Sequence, residues 1–235
     1  MLDLWVALAG PAGGGKSTLS RAAGATMRQA GILVDVCSED ELFTRPEFDN
    51  VARQFQGPTG PTPEELEAAY AAWLANLPPQ AVAVTDWHPA GMAGDLPWAV
   101  DDRPRLRRHL QAVRRLATQA IVVTLQLPAE VAVARAVSER GESWLIRSDF
   151  VALAAGHDQP DRWARLLAWT QAHNTRTGAE LEVAASAGWL VNRIDASGSP
   201  QETLRQAMGA LSNIRRGGSP HLTGRRGEYL GGGAR

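Results

Sequence analysis

The stretch Leu4-Trp5-Val6-Ala7-Leu8-Ala9-Gly10-Pro11-Ala12-Gly13-Gly14-Gly15-Lys16-Ser17-Thr18 decides the fold. Its apolar beginning is too short to span a bilayer and runs straight into glycines, so Leu4–Ala9 reads as a buried strand. Gly10 to Ser17 then fits G-x-x-x-x-G-K-[ST] at every fixed position. A helix is expected from Ser17 to about Gln29, which completes the strand, loop and helix order that a phosphate-gripping loop requires. Glycines let such a loop turn successive backbone N–H groups onto phosphate oxygens, and the helix N-terminus adds its dipole. Gly10, Pro11, Ala12, Gly13, Gly14, Gly15, Lys16, Ser17 and Thr18 are therefore the candidate nucleotide-binding residues. Lys16 would reach the β- and γ-phosphates, and Ser17 would ligate Mg²⁺.

Composition singles out the same place. Of 24 basic residues in a chain of 235, Lys16 is the one lysine and the rest are arginine. A compact ammonium fits a cramped loop where the planar arginine fork does not. Elsewhere the numbers are bland. At 44% hydrophobic and 21% charged the chain can bury a core, and the lone Cys37 excludes an intramolecular disulfide and fits a reducing compartment. A net charge of -1 forecasts no broad basic surface for nucleic acid or anionic lipid. No stretch approaches the ~20 apolar residues of a spanning helix. The expected protein is cytoplasmic, without nucleic-acid or membrane partners, and a monomer or homodimer.

Outward from the loop, short apolar runs alternate with helical patterns, the mark of an α/β protein with a parallel sheet. Further strands are expected at Ile32–Val36, Ala81–Thr85, Ile121–Leu127 and Trp189–Ile194. Thr62-Pro63-Glu64-Glu65 and Ser199-Pro200-Gln201-Glu202 are capping-box helix starts. Leu106, Leu110, Val113 and Ala117 form one helical stripe, and the helix begun by Pro128 should turn Val131, Ala134 and Val137 inward. Trp73, Trp163, Trp169 and Trp189 read as core. A single domain over residues 1–214 is expected, followed by a flexible tail over 215–235 whose arginine, glycine and serine content cannot build a core.

Three segments bear on chemistry. Asp40, with Glu39 second, lies just past the second strand, where ligands bind in open α/β sheets, and is the candidate general base toward an acceptor hydroxyl. Asp86 closes the third strand as a carboxylate for Mg²⁺. Beyond the fourth strand, Arg135 and Arg140, with Arg147 further on, fit a lid over about 135–150 whose guanidinium groups offset charge on the transferred phosphoryl. Trp87 and Trp98, in a Pro/Gly-rich loop, are candidate walls for a flat or apolar acceptor, and His88 is a second acid/base candidate beside them.

These motifs together resemble the P-loop kinases of the nucleoside and nucleotide kinase group, and within it the chloramphenicol-phosphotransferase-like enzymes. The likeness spans roughly residues 2–212. It implies a P-loop NTPase three-layer sandwich with a five-stranded parallel sheet and an Arg-bearing lid, ATP or GTP with Mg²⁺, and γ-phosphoryl transfer to a small-molecule hydroxyl. Such a protein would be a resistance or metabolite kinase. It also implies that Asp195 and Ser197, in Ile194-Asp195-Ala196-Ser197-Gly198-Ser199-Pro200, belong to the loop that packs on the nucleotide base.

One departure bears on the acceptor. Thymidylate kinases follow the third strand with Asp-Arg, the arginine holding the acceptor's phosphate, whereas this chain has Asp86-Trp87-His88. An indole cannot bind a phosphate dianion, so an acceptor without phosphate is expected, such as a nucleoside, a nucleoside-like antibiotic or another hydroxylated metabolite. A nucleoside monophosphate kinase remains an alternative, with Arg45, Arg53 or Arg103 to supply the cation. A regulatory switch NTPase is another: Asn192-Arg193-Ile194-Asp195 approaches the guanine-reading motif of GTPases, but no Asp-x-x-Gly follows the third strand.

Overall fold

A computed structural model describes residues 1–94, 96–100 and 102–215 of the protein, with side chains as far as 212. The chain runs β1 (Leu2–Ala9), α1 (Lys16–Gln29), β2 (Val34–Cys37), α2 (Asp49–Phe55), α3 (Pro63–Ala75), β3 (Val82–Thr85), α4 (Pro89–Ala93) and α5 (Pro97–Val100). It continues with α6 (Arg103–Arg114), β4 (Ala117–Gln126), α7 (Ala129–Ala154), α8 (Arg162–Ser186), β5 (Leu190–Asp195) and α9 (Pro200–Arg215). A 3₁₀ turn, Asp40–Phe43, follows β2 directly.

All five strands join one parallel sheet in the order β2-β3-β1-β4-β5. The order explains where a site can form. Having built β2 and β3 on one side of β1, the chain crosses to β4 and β5 on the other, so the loops diverge and a crevice opens at the C-terminal end of β1. The phosphate-gripping sequence occupies that end.

Alternation along β1 divides the core into two layers. Leu4, Val6 and Leu8 pack with Val82, Val84, Ile121 and Val123 under α1 and α9. On the opposite face Trp5 is the hub of an aromatic cluster, meeting Tyr70, Trp73, Trp87 and Trp189 edge-on with ring centroids 5.4–6.1 Å apart. Offset and edge-to-face ring contacts each add about 0.5–1.5 kcal/mol beyond area burial. The Thr62 capping box forms, with Glu65 N–H on Thr62 Oγ1 and Thr62 N–H on the Glu65 carboxylate.

Three expectations give way. β4 starts at Ala117, which pairs with Leu2, so Ala117 ends no helical stripe: strand pairing overrides the local pattern there. Trp163 is 42% exposed rather than core, and Trp169 is only half-buried. The inward face of α7 is Ala129, Ala132, Val133 and Ala136 instead of Val131, Ala134 and Val137. The physical reason is a close approach. A Cβ on Gly13 would lie 2.1 Å from the Ala132 carbonyl oxygen and 2.9 Å from the Ala136 nitrogen, so α7 rests its backbone on the phosphate loop and needs small residues there. The tail expected over 215–235 lies, apart from Arg215 at the end of α9, outside the described residues.

Candidate active site

The loop between β1 and α1 leads into a helix start that no side chain caps. α1 begins at Lys16 with left-handed Gly15 as its N-cap, and no acidic residue stands in its first turn. The first N–H groups of a helix have no intrahelical acceptors, so this end is suited to an anion. Lys16 Nζ donates to the carbonyls of Gly10 at 2.8 Å and Pro11 at 3.2 Å, held inside its own loop. Burial lowers its pKa, Arg140 lowers it further, and the carboxylates of Glu39 and Asp86 raise it in part. Lys16, Glu39, Asp86 and Arg140 thus form one electrostatic neighbourhood.

Two cavities flank the loop. One, of about 130 Å³, has Lys16, Glu39, Asp86 and His88 in its wall, with Met92 from α4 and His173, Thr177 and Glu180 from α8. The other, a groove of about 490 Å³, runs along Gly13, Gly14, Gly15 and Thr18 to Arg135, Ala196, Gly198 and Leu204.

On the first side, Asp86 Oδ1 accepts the backbone N–H of Glu39 at 2.6 Å, tying the end of β3 to the loop after β2. Asp86 is itself 3% exposed, and its strand end is pinned by a chain in which Trp5 Nε1 donates to Thr85 Oγ1 and Thr85 Oγ1 donates to the Trp87 carbonyl. Glu39 and Asp40 are both exposed, and of the two Glu39 lines this cavity.

The expected acceptor walls also separate. Trp87 is 4% exposed, stacks on Tyr70 at 5.5 Å, and borders the cavity from within the core. Trp98 lines neither cavity; its Nε1 donates to the Pro61 carbonyl at 2.8 Å and Arg105 lies over its ring. His88 does line the first cavity. Its Nδ1 accepts the Ala90 N–H at 3.1 Å and caps α4, which leaves the proton on Nε2. Burial pushes its pKa down to about 3, with His109 adding to the shift, which favours the neutral ring.

On the second side, Arg135 is fully committed. Nη1 donates to the Ala196 carbonyl at 2.6 Å, and Nη2 to those of Ser197 at 2.8 Å and Gly198 at 3.0 Å. It straps the loop after β5 to α7. Asp195 is likewise engaged within that loop, accepting from Ser197 N at 2.8 Å and Ser197 Oγ at 2.5 Å, and those bonds hold its carboxyl below the usual range. Arg140 ends the first half of α7, since Gly141 at φ 73°, ψ -168° breaks the helix in a region that only glycine adopts. Past the break, Asp149 is bound by Arg165 at 2.7 Å and by Arg162 at 3.2 Å, which lashes the second half to α8. Arg147 is exposed on that half.

Sequence reading missed the α8 contribution. His173, Thr177 and Glu180 fall at helical spacing on one face, a polar stripe that marks a wall only once the sheet order brings α8 beside β1. Conversely, the arginines that a phosphorylated acceptor would need are elsewhere. Arg45 forks onto Asp35 at 3.0 and 3.2 Å, and neither Arg53 nor Arg103 lines the Lys16 cavity.

The donor set fits the groups expected. Ser17 Oγ and the Asp86 carboxylate are oxygen ligands of the kind Mg²⁺ takes alongside phosphates and water. Among the described residues no cluster of three or more His, Cys, Asp or Glu could hold a metal without such help, and no helix is long and apolar enough to cross a membrane. No protein-family model matches the chain, and no curated protein does. Among solved structures, the chain is similar to a gluconokinase from Sinorhizobium meliloti 1021, with 16% sequence identity and a TM-score of 0.47 over 92% of this chain and 95% of that one.

Proposed function

We propose that this protein is a nucleoside triphosphate-dependent kinase that moves a γ-phosphoryl group onto the hydroxyl of an uncharged small molecule. One observation carries the reading: Lys16 of the phosphate loop, Glu39 and Asp86 share the wall of a single cavity at the C-terminal end of the sheet. The groove toward Arg135 and the strapped 196–198 loop is the place for the nucleoside, and ATP and GTP are both candidates. The Lys16 cavity is the place for the acceptor hydroxyl.

In this arrangement Glu39 accepts the hydroxyl proton, and the oxygen attacks the γ-phosphorus. The bond from that phosphorus to the β,γ-bridging oxygen breaks, and the nucleoside diphosphate leaves with the electron pair. Lys16 and the uncapped N-terminus of α1 stabilise charge on the phosphoryl oxygens, and Arg140 adds to it from the end of the first half of α7. Mg²⁺, held by Ser17 and Asp86, would neutralise the β- and γ-phosphates. The likeness to chloramphenicol-phosphotransferase-like enzymes rests on the sequence motifs, and the acceptor is taken as uncharged because no arginine lines the cavity among the described residues.

The test is a panel of nucleosides, nucleoside monophosphates, simple alcohols, sugar acids and hydroxylated antibiotics, each offered with ATP and with GTP. Turnover of an uncharged alcohol that disappears in Lys16→Ala supports the reading. Phosphorylation of monophosphates alone would overturn the acceptor assignment, and no Lys16-dependent transfer to any member would overturn the kinase assignment.

A further inference from the structure

Behind the phosphate loop, on the α8 side of the sheet, lies a crevice of about 190 Å³ that the transfer step does not use. Its floor is the end of β4, and its walls are Asn174 and Gly178 of α8 and Arg193 of β5. Gly10, Thr177 and Leu181 border both this crevice and the Lys16 cavity, whereas Lys16, Glu39 and Asp86 line only the latter. The cation comes from the sequence Asn192-Arg193-Ile194-Asp195, which the transfer step leaves without a role. Val191 packs on the Trp5 side of the sheet, so strand alternation puts Arg193 on that face too, beside Thr124 across the β4–β5 ladder. Arg193 therefore faces α8 and does not line the groove along Gly13, Gly14 and Gly15.

The polar groups of the crevice are unspent. Thr124 is only 5% exposed, yet it lines the space. Among the described residues, none pairs by hydrogen bond or ion pair with the side chains of Thr124, Gln126, Asn174 or Arg193. Other arginines that lie against this fold do find acceptors: Arg45 forks onto Asp35, and Arg114 and Arg135 each hold three carbonyls. No acidic side chain lines the crevice among the described residues. Asp195, two residues along the strand from Arg193, is taken by the N–H and Oγ of Ser197. A guanidinium fork takes two oxygens of a carboxylate or phosphate at once, and hydroxyl and amide groups beside it can donate to the remaining lone pairs. The space suits a molecule of few heavy atoms, being smaller than the ~300–1,000 Å³ of drug-sized pockets.

We propose that this crevice is a second ligand site, specific for a small oxyanion, with Arg193 as its fork and Thr124, Gln126 and Asn174 as its hydrogen-bond donors. Carboxylates and phosphates share the chemistry it reads. The site is distinct from the phosphate loop and does not depend on the kinase reading.

The experiment is isothermal titration of the full chain with inorganic phosphate, with malonate and, as an uncharged control, with glycerol. Lys16→Ala separates the two anion sites. Phosphate or malonate should bind saturably with an affinity that Lys16→Ala changes by no more than about two-fold, that Arg193→Gln weakens about 10-fold and that Asn174→Leu weakens about 3-fold. Arg193 is exposed on an edge strand, so its replacement removes no buried packing, and thermal melts without ligand control for folding. Tighter binding of phosphate assigns a phosphoryl ligand, and tighter binding of malonate a carboxylate. Three results overturn the proposal: no saturation by either anion up to about 50 mM; binding that Lys16→Ala abolishes and Arg193→Gln leaves untouched, which would belong to the phosphate loop; or glycerol binding as well as the anions. Absence of any phosphoryl transfer, with the Arg193-dependent binding intact, would sink the kinase reading alone.

Discussion

On one side of the phosphate loop the groove begins on backbone at Gly13, Gly14 and Gly15 and ends on the Thr18, Arg135 and Leu204 side chains. On the other side, Glu39, His88 and Thr177 wall the cavity with side chains delivered by three separate elements. The first wall depends on close approach, down to α7 resting on Gly13. The second depends on long-range bonds such as Asp86 to the Glu39 N–H. A backbone wall reads any triphosphate in the same way, whereas a side-chain wall can be changed residue by residue without disturbing the sheet. On the proposed function, recognition of the donor and choice of the acceptor fall on opposite sides of Lys16.

The sharpest way to break this division is at its centre. Lys16→Ala should lower phosphoryl transfer by on the order of 10⁴, since the ammonium acts on both sides, and steady-state kinetics with a responsive acceptor measures it. Glu39→Gln follows, with an expected loss of about 10²–10⁴ in kcat while nucleotide binding survives in a titration, against a change within about two-fold for Asp40→Asn. The reverse outcome would return the base to the exposed 3₁₀ turn.

Acid stability probes the side-chain wall by itself. His88 is neutral when folded, with a pKa of about 3, against 6.5 for the free side chain. Between those values the unfolded chain binds a proton that the folded one refuses, so this contribution is full above pH 6.5 and is lost as pH falls toward 3. Near about pH 4.5 the cost relative to pH 7 is roughly 2–3 kcal/mol. His88→Asn, which can still cap α4, should lose correspondingly less stability between those pH values in urea unfolding; an identical loss would mean that the ring is not buried neutral. The mildest effect belongs to the backbone wall. Arg135→Ala should raise the nucleotide KM about 10-fold and leave kcat near wild type, as expected for a strap on the 196–198 loop. A fall in kcat by ~10³ or more would instead make Arg135 a finger on the transferred group.

Much of the backbone wall could be read directly. Gly10 to Thr18 carry their geometry in consecutive residues, and each of the five strands announced itself as an apolar run. Local order also led to error, where Ala117 continued a helical stripe yet pairs with Leu2 in the sheet. The side-chain wall was legible only in part. Glu39 and Asp40 are neighbours of the same chemistry, and nothing local tells which one will line a cavity shared with Asp86, whose carboxylate binds the Glu39 N–H across 47 positions. Arg135 looks like any lid arginine until the three carbonyls it grips are seen.

The sequence by itself determined that this chain forms a parallel α/β sheet with a phosphate-gripping loop after its first strand, because those features are written in contiguous residues with local propensities. Tertiary structure decided what stands around that loop. The order β2-β3-β1-β4-β5 brings the loops after β2 and β3 together with α8, and with them Glu39, His88 and Thr177. It also leaves Phe43 exposed and draws Trp87 into the core. Such neighbourhoods arise from packing between residues far apart in the chain, and no window of sequence contains them.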